Sequence, residues 1–326
     1  MNDKIVEFKN LSVSFKTEEG IIRAVNGVNF EVRKGEILGI VGESGCGKSV
    51  TSMSLMRLLP TPPAVYESGS IVLNGIDILS ITESEMRKKR GNEVSIIFQE
   101  PMTSLNPVMK IGKQISEAIL IYKKVSKKEA NKLAIDMIKL VGIPRPETIF
   151  NSYPHELSGG MRQRIVIAIS LCCNPKVLIA DEPTTALDVT IQAQILSLIK
   201  DLKSKLGMSV MMITHDLGVI AEMADYVVVM YSGKIVEKAK VLDIFKNPKH
   251  PYTIGLMKSK PSFDDNNEKL YSIPGQVLNP INLPQYCYFY DRCDRRKDSC
   301  KKGIPDLKNI GNAHYVSCYL VDKEGS

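Results

Sequence analysis

One octapeptide limits the fold of this chain more than any other stretch. Gly42-Glu43-Ser44-Gly45-Cys46-Gly47-Lys48-Ser49 fits G-x-x-x-x-G-K-[ST]. Before it runs Glu36-Ile37-Leu38-Gly39-Ile40-Val41, an apolar run of strand length. After it, Val50 to Leu59 carries apolar residues at helical spacing. Strand, glycine loop and helix form the context in which this motif cradles phosphate. The glycines let successive N–H groups turn inward as a nest, and the helix aims its positive end at the same anion. Lys48 adds a full charge for the β- and γ-phosphates, and the Ser49 hydroxyl is placed for Mg²⁺. Cys46 lies inside the nest, beside Lys48 and a helix start. Both features favour thiolate, so a reactive Cys46 is predicted. The bland alternative is a small side chain at a tolerant loop position.

Composition adds limits. With 44% hydrophobic and 24% charged residues, the chain is an ordinary globular protein of one large or two smaller domains. Its net charge of +7 suits an acidic membrane surface. Lysine and arginine are interspersed with carboxylates and lack interleaved aromatics, so nucleic acid is not expected as a partner. No apolar run reaches the roughly 18 residues of a membrane span. Residues 1–10 lack the apolar core of a signal peptide. The expectation is a cytosolic chain whose seven cysteines are thiols or metal ligands.

In chain order, residues 5–8, 11–15 and 24–32 read as strands. Phe15 suits either sheet packing or stacking on a base. Residues 60–69 are proline-rich and read as loop, followed by strands over 70–73 and 94–98. Gln99 stands at the C-terminal end of the latter, where doubly wound folds bind ligands. Residues 111–141 have helical pattern, with Lys123, Lys124, Lys127 and Lys128 as a solvated basic cluster. Leu157-Ser158-Gly159-Gly160 opens a second helix whose N-terminus suits an anion, with Ser158 as cap. The strand Val177 to Ala180 ends in Asp181-Glu182. Behind such a loop the first acid suits Mg²⁺ and the second suits polarising water. Ala186-Leu187-Asp188 precedes a helix over 191–205. A strand over 209–213 leads to His215, which suits either inert packing or a bond to a terminal phosphate.

Taken in order, these motifs resemble the nucleotide-binding domain of ABC transporters over about residues 3–245. The resemblance implies an α/β fold: a P-loop NTPase core with an N-terminal antiparallel β subdomain and a helical subdomain near 100–170. It implies ATP bound by Gly42, Ser44, Gly45, Cys46, Gly47, Lys48, Ser49 and Val50, with Phe15 on the adenine. It gives Mg²⁺ to Ser49, Gln99 and Asp181, the general base to Glu182 and the switch role to His215. Ser158, Gly159, Gly160 and Asp188 would face ATP held by a second ATP-binding subunit, paralogue or self, in a head-to-tail dimer. Met161 stands where many members have glutamine. Gly47 to Thr51, Gln99 to Pro107, Met161 to Arg164, Asn247 to Thr253 and the tail resemble the bacterial dipeptide and oligopeptide importers. That implies two membrane permease subunits, an extracytoplasmic solute-binding protein as indirect partner, and a place on the cytoplasmic face of the membrane. Nickel importers share much of the pattern. A soluble ABC ATPase of translation or repair and a metal-sensing module with a structural nucleotide site are the rival classes.

Beyond about residue 258 the expected architecture is a small C-terminal domain over 259–326. Residues 261–269 read as a polar linker. Cys287, Cys293, Cys300 and Cys318 follow with spacing C-x₅-C-x₆-C-x₁₇-C. Four cysteines so close suggest a four-thiolate site, and the absence of C-x₂-C pairs argues against Zn²⁺. A [4Fe–4S] cluster accepts looser spacing. Similar importer tails imply such a cluster in some members, while free thiols remain the alternative. Cys172 and Cys173 read as packing residues.

Overall fold

The computed structural model describes residues 3–99, 104–185, 187–259 and 271–321. The expectations placed on 100–103, on Ala186 and on the 261–269 linker lie outside these. The chain forms two compact units: one from residues 1–5, 33–36 and 80–212, the other from 6–32, 37–79 and 213–326.

In the second unit, a four-stranded sheet has order β2-β1-β4-β5, from β1 (Lys4–Thr17), β2 (Gly20–Arg33), β4 (Ala64–Leu73) and β5 (Ile76–Asp77). The two short strands expected before Phe15 are one, with inward residues such as Val6, Phe8, Leu11 and Val13 fully buried. Phe8 stacks on Phe30 with centroids 4.3 Å apart. Burying one such ring contributes about 1.5–3 kcal/mol. The expected loop over 60–69 is corrected: strand begins at Ala64, which sits opposite Phe15 on antiparallel β1. The prolines end at Pro63, and long-range pairing then overrides weak local strand preference. The same unit pairs β3 (Ile37–Val41) parallel to β9 (Tyr226–Tyr231), which is antiparallel to β10 (Lys234–Lys240). Short β12 (Tyr315–Val316) and β11 (Lys308–Asn309) extend it. Its helices are α1 (Lys48–Met56), α8 (Leu217–Met223), α9 (Val241–Lys246) and α10 (Pro251–Lys258).

The first unit holds strands in order β8-β7-β6: β6 (Val94–Ile97), β7 (Val177–Asp181) and β8 (Ser209–Ile213). All residues of these three are buried, and β6 runs parallel to β7. Continuous apolar runs suit strands covered on both faces. Helix α2 (Glu83–Lys89) starts at a capping box of Thr82 and Glu85. The helical pattern over 111–141 is split into α3 (Ile111–Tyr122) and α4 (Lys127–Leu140), because Ser126 accepts from the Glu129 N–H and starts a new helix. Next come α5 (Pro146–Asn151), α6 (Gly159–Leu171) and α7 (Val189–Leu206). Asp188 caps α7, and Gly207 closes it at φ 65°. Lys124, Lys127 and Lys128 are exposed, as a solvated face requires, and Cys172 and Cys173 are buried.

Candidate functional site

In the second unit, β3 delivers the chain to Gly42. A Cβ on Gly42 would collide with the Met230 carbonyl, and one on Gly47 with the Ala24 carbonyl. Gly45 and Gly47 have φ of 75° and 98°, where side chains are strained. At Gly42 and Gly47 the backbone carbonyls leave no room for a side chain, whereas Gly45 has open space and only its φ favours glycine. Lys48 is buried, and its Nζ donates to the carbonyls of Gly42 (2.7 Å) and Glu43 (3.0 Å). Helix α1 has no side-chain cap. Ser44, Gly45 and Ser49 are exposed and Val50 is half-buried in the first turn. Cys46 corrects the expected reactive thiolate. It is 1% exposed, and burial pushes its thiol up despite the neighbouring Lys48 charge. Phe15 lies half-buried on β1, and His215 is exposed in the turn before α8.

The carboxylates stand in the first unit. Asp181 ends β7 and is buried. Glu182 follows at φ 47°, a conformation costly for a non-glycine residue. Its Oε2 accepts from Gln99 Nε2 (2.9 Å) and from Thr185 Oγ1 (3.0 Å). Both donors converge on one oxygen and so fix the orientation of the side chain. The structure thus joins Gln99 to Glu182, across 83 positions. Sequence reasoning missed Thr185 and Gln163. Gln163 is fully buried on α6, and its Nε2 donates to the Pro183 carbonyl, fixing the turn beyond Glu182. The available signal was a glutamine on the apolar side of a helix.

On the same unit, Ser158 caps α6 by accepting from the Met161 N–H (3.4 Å). Ser158 and Gly159 are exposed. A Cβ on Gly160 would lie 2.9 Å from Ile191 Cγ2, so glycine permits α6 to pass close to α7. Exposed Asp188 accepts from the Ile191 N–H (2.9 Å).

The described tail residues 271–321 belong to the second unit. The Cys287 N–H donates to the Cys300 carbonyl (3.2 Å). Burial pushes the Cys287 thiol up to about 12 and Cys318 to about 11, with Cys293, Cys300 and Cys318 adding to the first rise and Cys293 and Cys300 to the second. The four thiols are therefore electrostatic neighbours. Even so, no group of three or more His, Cys, Asp or Glu among the described residues is disposed to hold a metal ion. The expected [4Fe–4S] or Zn²⁺ centre is therefore not shown by the described residues.

A phosphate cradle, a strand-end acid pair and a serine-capped glycine helix start define an ATP-binding cassette of the ABC type. Comparison agrees: residues 25–185 match the ABC transporter family, and 236–300 match the oligopeptide/dipeptide transporter C-terminal region. The chain is 51% identical over 322 residues to the oligopeptide transport ATP-binding protein AppD of Bacillus subtilis, covering 99% of this chain and 98% of the relative. It is 50% identical to the dipeptide transport ATP-binding protein DppD of the same organism, covering 98% and 96%. A dimeric post-hydrolysis structure of the ATP-binding cassette MJ0796 with ADP and Pi superposes with TM-score 0.64 at 28% identity, covering 72% of this chain and 98% of that one. The chain belongs to the ABC transporter family, and within it to the ATP-binding proteins that carry the oligopeptide/dipeptide C-terminal region. It is an ABC-type ATPase.

Proposed function

We propose that this chain is the ATP-hydrolysing subunit of an importer of dipeptides or oligopeptides. The observation that carries the reading is similarity along 99% of the chain, tail region included, to a protein named for oligopeptide transport. The names of these relatives favour peptides over the nickel importers and soluble ATPases considered from the sequence.

The residue roles are part of the proposal. Residues 42–50 take the phosphates of ATP, with Lys48 leaving the carbonyls of Gly42 and Glu43 for the β- and γ-oxygens. Ser49, Gln99 and Asp181 offer the hard oxygen donors that Mg²⁺ prefers, and the ion, once bound, neutralises charge on those phosphates. Glu182 takes the proton of the water that attacks the γ-phosphorus, and His215 orients that phosphate. Phe15 stacks on the adenine. Ser158, Gly159, Gly160 and Asp188 close on ATP held by a second ATP-binding subunit, paralogue or self, in a head-to-tail dimer. Closure on ATP and opening after hydrolysis drive two permease subunits, which receive peptide from an extracytoplasmic binding protein. Residues 1–258 are proposed as the ATPase domain and 259–326 as the importer-type C-terminal domain. No helix among the described residues is long and apolar enough to cross a membrane. The proposed place is peripheral, on the cytoplasmic face. A metal centre in the tail stays a sequence-based proposal supported only by the mutual proximity of four thiols, and iron and zinc analysis of anaerobically purified protein tests it.

Reconstitution with permeases and binding protein in proteoliposomes tests the transport reading. Di- or oligopeptide is expected to stimulate ATP turnover, and stimulation by Ni²⁺ alone would replace peptide with nickel.

A further inference from the structure

The loop at residues 42–49 is gripped by the far end of the chain. The Arg292 guanidinium makes a two-pronged pair with the Glu43 carboxylate, Nη1 to Oε2 at 2.7 Å and Nη2 to Oε1 at 3.0 Å, across 249 positions. The Arg292 side chain is 6% exposed and that of Glu43 28%. Arg292 is itself held: its Nε donates to the Pro274 carbonyl (2.9 Å), and its cation lies 5.7 Å from the Tyr231 ring centre and 5.9 Å from that of Phe289. The Glu43 N–H donates to Tyr252 Oη (2.9 Å), and Tyr252 and Tyr231 pack on Phe289. Glu43 thus has its carboxylate and its N–H bound by residues far beyond the cradle, while its carbonyl meets Lys48.

A carboxylate at this position is otherwise out of place. It stands next to Gly42 in a nest that must accept a polyanion, and like charge there opposes binding. Its field reaches the loop interior, where it is one of the influences that raise the Cys46 thiol. We propose that Arg292 is a positioning residue for nucleotide binding: its fork neutralises Glu43 and anchors the first turn of the phosphate loop. The proposal rests on the reading that ATP binds residues 42–49. The tail is then part of the nucleotide site's electrostatics, and anything that shifts residues 287–293 is transmitted to ATP affinity.

The test uses the full chain. Arg292→Met is expected to raise the KM for ATP about tenfold with kcat within about twofold, since it exposes an unpaired charge beside the ligand without touching the reacting atoms. Adding Glu43→Gln to Arg292→Met is expected to return KM to within about threefold of wild type, because the offending charge is gone. Rescue separates charge neutralisation from simple tail packing, which Glu43→Gln would not repair. Unchanged KM in Arg292→Met, or a double variant no better than the single, overturns the proposal. If Arg292→Met is not recovered folded, Arg292→Lys replaces it, keeping the charge and losing the fork. About a threefold rise in KM is then expected, and no rise overturns the proposal. Lys48→Ala is the control for the underlying reading: if it binds ATP like wild type, the cradle assignment itself fails.

Discussion

Two glycine-rich helix starts in this chain differ in what surrounds them. At α1 the loop is walled in: Cys46, Gly47 and Lys48 are buried, glycines meet the carbonyls of Met230 and Ala24, and no side chain caps the helix. At α6 the start is open: Ser158 and Gly159 are exposed, and Ser158 itself caps the Met161 N–H. In the proposed reading, the first is a phosphate site shaped by the backbone carbonyls packed against its glycines. The second has an exposed outer face and its own cap, which suits the proposed closure on ATP held by a second subunit. Helix dipoles are alike at both. Local packing makes the difference.

The largest expected effect separates chemistry from both starts. Glu182→Gln should slow turnover at least ~10²-fold with ATP affinity unchanged, as loss of a general base does. Single-turnover hydrolysis beside equilibrium nucleotide binding checks this, and wild-type turnover would remove Glu182 from its role. Next, Lys48→Ala should weaken binding of ATP to dilute, monomeric protein about tenfold or more, whereas Ser158→Arg should leave that affinity within about twofold and lower turnover about tenfold. Equal losses of affinity in the two variants would erase the contrast.

A pH effect is expected on the walled side. Behind Tyr252, the His250 Nδ1 accepts from the Tyr252 N–H (3.1 Å), and burial pushes His250 down to about 4. Glu237 is fully buried and accepts from the N–H groups of Lys249 and His250 and from His314 Nε2. Burial pushes Glu237 up, but these donors outweigh it and hold its carboxyl below the usual range. Between pH 6.5 and about 4 the unfolded chain protonates His250 and the native chain does not, so stability falls as pH falls through that window. Glu237 acts in the same direction. The His250 share is on the order of 3 kcal/mol in full. Urea midpoints at pH 7 and pH 4.5 check this, and His250→Asn should flatten the slope. The smallest effect is on labelling: in folded protein Cys46 should alkylate at least about tenfold more slowly than half-exposed Cys293, since burial keeps it a thiol. Mass-resolved labelling kinetics checks the order. A fast Cys46 that ATP protects would mean the loop opens more readily than its packing implies.

Much of the site was legible because its rules are local. A glycine loop between strand and helix, a serine three residues before an orphan N–H, and two acids at a strand end are each set by neighbours in sequence. The elements at 37–41, 177–181 and 209–213 were legible from continuous apolar runs. The strand at 64–69 was not, because Ala64-Val65-Tyr66-Glu67-Ser68-Gly69 becomes strand only by pairing with β1. Nor was the break at Ser126, where a cap interrupts a periodicity that continues on both sides.

The sequence by itself determined that this chain carries two glycine-rich helix starts, the first in a loop of nucleotide-binding pattern, and an acid pair at a strand end. Tertiary structure decided what each of them does with its charge. It buried Cys46, so desolvation outweighs the cation two residues away. It joined Gln99 to Glu182 and Arg292 to Glu43. Electrostatic strength depends on distance and on exclusion of water, and neither is set by spacing along a chain that must fold before residues 249 positions apart can meet.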